Sequence, residues 1–428
     1  MTRLAKQLEE LSGSGKTVSV AIVGVGRMGR SIVIGSEKVD GVNVTAVADV
    51  RLDRARETFS ERGHDSESVV TASTVDEADR ALGSGEFVVT EDALILPKAD
   101  EIDVVIAATG MPEIGAKVAT RAILNGTHVV MLTDETDAVV GPYLSVMAAQ
   151  SGVVYSGAAG DEPGAIMEVY DFADSLGFDI VAAGKGKNNP LDREATPEEL
   201  EAEAKEKDLN PEIYTAFVDG TNSMLEMTMV ANATGLTVDT RGMHGPEVSD
   251  VEELAAVFNS DTGLLEQDGV VDFALGGGVA PGVFLVVTTD NEIIREDLDY
   301  LKMGDGPNYV LHRTYHIPTI EPLLTAARAE IYGDASLVPQ EPVVDTITIA
   351  KRDLSPGETV DGIGGSTVYG LTEDADVAKE QDFVPISVIE GATVVNEVAK
   401  GEEITYDDVE LPESELLHLR KLQDSYFD

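Results

Sequence analysis

The sequence has no cysteine. Disulfides, thiolate catalysis and any cysteine-ligated zinc site are therefore excluded. Basic residues are scarce: 30 Lys and Arg stand against 79 Asp and Glu, a formal charge of −49. No basic face exists to neutralise phosphates, so nucleic acid is not an expected partner. Long apolar runs are also missing. None approaches the roughly 18 residues that span a bilayer, so no membrane association is expected. Met1 is followed by a charged, helix-like stretch and not by an apolar signal segment. The expected protein is soluble and cytoplasmic.

The acids are spread along the chain in pairs such as Glu9-Glu10, Glu198-Glu199 and Asp407-Asp408. They do not form one block, and 43% of the residues are hydrophobic, enough for real cores. Two readings of the charge remain open. One is a folded protein adapted to very high salt, where counter-ions suppress self-repulsion. The other is an acidic surface for a basic partner. The spread of the acids and the shortage of lysine favour the first.

At 428 residues, two or three domains are expected. The most informative stretch is 18–29, VSVAIVGVGRMG. Its apolar, β-branched start reads as a strand buried on both faces. Gly24, Gly26 and Gly29 then form Gly-x-Gly-x-x-Gly before a helix-like stretch. In a dinucleotide-binding turn the first glycine permits the tight bend. The second lets the backbone approach a pyrophosphate, and the third lets helix and strand pack closely. Arg27 and Met28 open the helix whose free amides would face that pyrophosphate. A second strand over 42–48 ends at Asp49, near the roughly 20-residue spacing at which a carboxylate meets the ribose. Asp49 argues for NAD. Arg51 and Arg54, which follow at once, could pair with the extra phosphate of NADP, so both cofactors fit.

Strand and helix alternate from there. Strands are expected over 103–107, 128–132 and 153–156, with helices between them. This predicts a doubly wound parallel sheet of the Rossmann type. Its ligand-bearing edge then holds the glycine loop, Asp49, Thr109, Gly110 and Thr133. The domains are read as a dinucleotide-binding unit over 1–158, an α+β substrate and oligomerisation unit over 159–338, a small β-rich module over 343–412 and a helix over 413–428.

The middle unit holds the candidate chemistry. A strand over 178–183 runs into Gly184-Lys185-Gly186-Lys187-Asn188-Asn189-Pro190, two lysines between glycines in a lysine-poor chain. Lys185 is the candidate acid/base or oxyanion partner, since a partly desolvated ammonium titrates lower. The stretch 217–235 reads as one helix, on which Asp219, Asn222 and Glu226 fall near a single face. Lys187, Arg313 and His316 are candidates for gripping a phosphate or carboxylate. Asp161 and Glu162 offer oxygen ligands to a divalent metal, with Asp219 or Glu226 completing the set. The same residues equally suit helix capping (Asp161) and a paired carboxylate (Glu226).

These motifs resemble a known family. The glycine loop and the strand ending Ala107-Ala108-Thr109-Gly110 look like the cofactor domain of homoserine dehydrogenases. Gly160-Asp161-Glu162-Pro163, Ala182-Ala183-Gly184-Lys185-Gly186 and Asp219-Gly220-Thr221-Asn222-Ser223 through Glu226 are more specifically similar to the deoxyxylulose-phosphate reductoisomerase-like (DRL) oxidoreductases. Ala350-Lys351-Arg352-Asp353-Leu354 with Pro356-Gly357-Glu358 resembles the opening of the SAF domain those proteins carry. The resemblance implies an NADP-linked oxidoreductase that assembles as a dimer or tetramer through its middle domain. Catalytic Lys185, Asp219 and Glu226 would then act on a small polyhydroxy or phosphorylated carbonyl compound. The chain departs from the family pattern at Asn222, where a lysine is expected, and at 187–190. Reductoisomerisation, homoserine dehydrogenation and a non-catalytic nucleotide-responsive sensor are the alternatives carried forward.

Overall fold

The structure, a computed structural model, describes residues 3–427. Seven strands form the first sheet: β1 (Val18–Val23), β2 (Val42–Ala48), β3 (Val69–Thr71), β4 (Phe87–Thr90), β5 (Val104–Ala107), β6 (His128–Met131) and β7 (Tyr155–Gly157). Their order is β3-β4-β2-β1-β5-β6-β7, and every pairing is parallel. This is the expected doubly wound α/β sheet. The β-branched runs are buried because helices cover both faces: Val20, Ile22 and Val44 pack into one apolar cluster and Ala21, Val23 and Val105 into the other. The order turns back between β1 and β5, and the crevice at that switch point is where such sheets take ligands.

The second sheet is mixed. Its strands are β8 (Asp179–Lys187), β9 (Glu247–Val248), β10 (Val270–Gly276), β11 (Val283–Thr288) and β12 (Asn308–Arg313), in the order β12-β11-β8-β10-β9. The central strand β8 runs four residues beyond the expected end, through both lysines. Gly184 and Gly186 explain this. A Cβ on either would strike main chain, at Asp272 O for the first and at Ala280 N for the second. The glycines let neighbouring backbone close in, and the period of two sends Lys185 and Lys187 to the opposite face together.

Three expectations are corrected. The single helix read over 217–235 is two, Pro211–Asp219 and Thr221–Thr234, because Gly220 turns left-handed between them (φ +88°). The strand expected over 153–156 lies at Tyr155–Gly157. The helix Pro322–Tyr332, assigned to the middle domain by position, returns to the first sheet: Leu323, Ala326 and Ala327 join the cluster of Val20 and Ile22. The middle unit is thus an excursion from the first, and not a segment placed after it.

The C-terminal module pairs β13 (Val344–Ala350) antiparallel with β14 (Val368–Asp374), and β15 (Thr393–Val394) with β16 (Val409–Glu410). The helix Glu415–Tyr426 docks back on the first domain. Arg121 clasps Glu415 (2.9 and 3.1 Å), and Glu113 accepts from the amides of Glu415 and Leu416. Among the described residues no helix is long and apolar enough to cross a membrane.

Candidate active site

The glycine loop is built as the sequence implies. Gly24 has φ +92°, and a Cβ there would strike Ala108 O; one at Gly29 would strike Gly24 O. At Gly26 a Cβ would meet nothing within 4 Å, so this backbone faces open space. No side chain caps the helix Arg27–Gly35 that follows. Its first amides have no carbonyl one turn back, so they are free to hold an anion. Asp49 braces the loop from β2. Its Oδ2 accepts from Val25 N and its Oδ1 from Arg51 N, both at 2.9 Å. The side chains of Arg51 and Arg54 make no hydrogen bond or ion pair among the described residues. Thr133, buried behind the loop, bridges β5 and β6. It accepts from Thr109 N (3.2 Å) and donates to Ala107 O (3.2 Å).

A cleft of about 380 Å³ lies between this edge and the second domain. Gly26, Arg27, Met28, Thr109 and Gly110 line one side; Lys185, Lys187, Asn222 and Glu226 line the other. Asp134, Glu135, Asp161, Glu162 and His316 also line the cleft, with apolar Leu209, Ile213 and Phe217. Local structure explains each placement. Both lysines hang from the same face of β8. Asn222 and Glu226 are one helical turn apart, and Asn222 Nδ2 donates to Glu226 Oε1 (2.5 Å). Asp161 and Glu162 open the helix Glu162–Ser175, where a carboxylate meets the positive end of the dipole.

Lys185 is held between two carboxylates. Its ammonium donates to Glu162 (2.7 Å) and to Glu226, and its side chain is 7% exposed. Burial works against its charge, but Glu162 and Glu226 outweigh it and raise the pKa, so Lys185 remains a cation. Glu162 is penalised by burial, yet Lys185 and then His316 hold it below the usual carboxylate range. Glu226 goes the other way. Burial and the charge of Glu162 raise it, and Lys185 only partly offsets them. Beside this trio, burial raises the pKa of both Asp134 and Asp161, most strongly Asp134, and the neighbouring carboxylates add to it. His316 Nδ1 lies 3.0 Å from Gly160 O and 3.6 Å from Glu162 Oε2.

Lys187 differs from its neighbour. It is 6% exposed, it pairs with no carboxylate, and its ammonium donates to the carbonyl of Phe217. Burial first, and Lys185 second, pull its pKa down to about 8. Of the two lysines it is the one able to lose and regain a proton near neutrality.

The structure separates some expected site residues from the cleft. Asp219 is fully buried, 2.8 Å from Lys351 Nζ, and faces the C-terminal module. Arg313 is closed on Glu321 (2.8 and 2.9 Å) and Glu168 (3.0 Å), so it is not free to grip an anion. Both carboxylates that face Lys185 already accept from its ammonium. Among the described residues no three acidic or histidine side chains are arranged to hold a metal ion. Asp134 and Glu135 were not singled out from the sequence. The available signal was their position directly after β6, at the edge of the sheet that bears ligands.

Comparison with known proteins bears on this site. Residues 160–322 match the family model for the catalytic domain of oxidoreductase DRL. That stretch supplies Asp161, Glu162, both lysines, Asn222 and Glu226. No protein of curated function matches the chain. Among solved structures, a probable dehydrogenase from Thermotoga maritima is 14% identical, with a TM-score of 0.38, over 63% of this chain and 72% of that one. The 1-deoxy-D-xylulose 5-phosphate reductoisomerase of Zymomonas mobilis, in complex with NADPH, is 14% identical with a TM-score of 0.40, over 75% and 82%. The scyllo-inositol dehydrogenase of Lactobacillus casei, with bound NAD(H), is 16% identical with a TM-score of 0.36, over 64% and 74%. At these identities and scores the likenesses carry no argument about substrate.

Proposed function

We propose that the chain, an oxidoreductase by its match over 160–322, is NAD(P)-dependent and acts on a small polyhydroxy or phosphorylated carbonyl compound in the cleft between its first two domains. The observation that carries this reading is the pair of lysines on one face of β8, opposite the glycine loop: one fixed as a cation, the other titrating near neutrality.

The residues fit a dinucleotide. Gly26 leaves its backbone open, and the uncapped helix start would meet the pyrophosphate. Among the described residues the side chains of Arg51 and Arg54 make no hydrogen bond or ion pair, in a chain dense with carboxylates. Guanidinium groups without a hydrogen-bond or ion-pair partner among the described residues, Arg51 just past β2 and Arg54 in the helix Leu52–Glu61, favour NADP, whose 2′-phosphate they would pair. A reduced nicotinamide, when bound, supplies a hydride to the carbonyl carbon. Lys185 spends two of its three N–H donors on Glu162 and Glu226 and keeps one for the carbonyl oxygen, where negative charge develops. Lys187 delivers the proton that turns that oxygen into a hydroxyl, and it recovers the proton in the reverse direction. Asn222 and His316 face the same space and would orient the substrate's polar groups. Asp161, Glu162 and Glu226 supply the electrostatic frame.

The test is Lys187→Met, compared with the wild type for NADPH binding and for NADPH oxidation by phosphorylated and polyhydroxy aldehydes and ketones. The reading expects binding within about twofold and turnover lower by roughly 10²–10⁴. Equal turnover by both proteins removes Lys187 from the mechanism.

A further inference from the structure

The C-terminal module reaches the site through one buried side chain. Lys351 follows β13. Its ammonium donates to Ala195 O (2.8 Å) and Gly365 O (2.7 Å) and lies 2.8 Å from Asp219 Oδ2. The lysine side chain is 2% exposed and the aspartate 0%. Two of its N–H donors are placed on carbonyls and its charge is paired with Asp219, so removing one member of the ion pair would leave a buried charge alone.

Its partners are unevenly distributed. Ala195 closes the loop after β8, which carries Asn188 and Asn189 past the cleft. Asp219 ends the helix Pro211–Asp219, two residues after Phe217, whose carbonyl receives the Lys187 ammonium. Asp219 Oδ1 in turn accepts from Thr221 N (2.9 Å), across the left-handed Gly220 that starts the helix Thr221–Thr234. That helix is tied to the module along its length. Gly370 N donates to Thr221 Oγ1 (2.9 Å), Thr228 Oγ1 meets Thr346 Oγ1 (2.9 Å), and Asn232 Oδ1 accepts from Val343 N and Val344 N. From the same helix, Asn222 and Glu226 enter the cleft.

We propose that Lys351 is a positioning residue: from the C-terminal module it pins the loop after β8, the end of the Pro211–Asp219 helix and the start of the Thr221–Thr234 helix, and so sets where Asn188, Lys187 and Glu226 stand in the cleft. The module is then part of the active-site scaffold and not a separable appendage. The coupling has an electrostatic side as well. The groups that face Lys187 are Lys185 on its own strand, Glu226 and Asp219 on the two helices, and Arg193 in the loop. Lys351 neutralises Asp219. Without it, the aspartate's charge acts on Lys187 unopposed and favours the protonated amine.

The proposal rests on reading the cleft as the substrate site, but its test needs no substrate, so the two fail separately. Lys351→Met, Arg352→Met and the wild type are compared with NADPH present in concentrated KCl. Arg352 is the control: it is half exposed and pairs with Glu358. The pH at which the Lys187 amine becomes reactive towards a small acylating reagent is read by mass spectrometry, and amide hydrogen exchange is followed along the chain. For Lys351→Met, the Lys187 midpoint should rise by about one pH unit. Exchange over 188–196 and 217–226 should quicken roughly tenfold, with the first domain unchanged. Arg352→Met should match the wild type in both. A folded Lys351→Met with wild-type midpoint and exchange overturns the proposal, as does exchange that quickens equally in the first domain. If the single variant does not fold, the double variant Lys351→Met with Asp219→Asn removes both charges together. It should loosen the same two segments alone, and wild-type exchange there overturns the proposal equally.

Discussion

Two lysines two residues apart on one strand have opposite chemical states, because their neighbours differ. Lys185 is flanked by two carboxylates and stays charged. Lys187 has a carbonyl and a nearby cation, and it titrates near 8. The sign of the pH dependence follows. Carbonyl reduction needs the protonated amine, so kcat/KM in that direction should fall as pH rises through about 8. Alcohol oxidation needs the neutral amine and should rise through the same value. Profiles in both directions on one substrate would check this, and a limb that survives in Lys187→Met would reassign it. The sequence showed that the lysines were unusual, but not which of them was free. That depended on Glu162 and Glu226, which lie 23 and 41 residues away from Lys185.

Asp137 gives a second prediction at this scale, for stability. Its Oδ2 accepts from Tyr155 (2.9 Å), while burial pushes its carboxyl up to about 7. The folded state holds the proton more tightly than the unfolded chain, where the value is 3.8. Its contribution is therefore full below about 4 and is lost as pH rises through about 7. Asp137→Asn cannot ionise, so it should melt further above the wild type at pH 8 than at pH 5, which lies near the lower end of this window. Thermal melts at the two pH values check this; the same offset at both would show that the carboxyl is not the cause.

Elements built on one local rule were legible from the sequence. Buried β-branched runs and a glycine loop set the first sheet, and the loop leaves no space where its outer glycines stand. Gly29→Ala should push the helix Arg27–Gly35 off β1, at a cost of roughly 1–3 kcal/mol. NADPH binding should be lost along with it, as measured by fluorescence titration and melting. The misread elements had causes outside their own residues. The 217–235 pattern reads as one helix because Gly220 is tolerated within a helical period; the break comes at Gly220, which turns left-handed (φ +88°) beside Asp219, itself paired with Lys351 from the C-terminal module. The C-terminal helix was legible as amphipathic but not its partner surface. Leu416, Leu417 and Leu419 are buried, and Gln423 Nε2 donates to Val139 O (2.9 Å) in the first domain. Leu419→Ala should therefore destabilise the whole chain by about 2–5 kcal/mol, measurable by denaturant unfolding.

At the scale of the molecule, chain order and spatial order part company. The helix Pro322–Tyr332 leaves the middle unit to cover the first sheet, and the last helix returns across the C-terminal module to the same domain. Boundaries drawn from linkers miss this, since a linker marks where packing is thin and not where the chain goes next. Charge acts at this scale too. With −49 on one chain, repulsion between carboxylates is screened over about 10 Å at 0.1 M salt but over about 3 Å at 1 M. The melting temperature should climb steeply with KCl, and a flat response would contradict adaptation to high salt. The central claim is hydride chemistry in the cleft between the first two domains, with Lys187 as the proton carrier. Its most direct measurement is NADPH oxidation by the full chain in concentrated KCl, against phosphorylated and polyhydroxy aldehydes and ketones, wild type beside Lys187→Met. The account predicts turnover of at least one such compound, lost in the variant while NADPH binding persists. NADPH bound without turnover of any of them by the wild type would contradict it and point to a nucleotide-responsive protein instead.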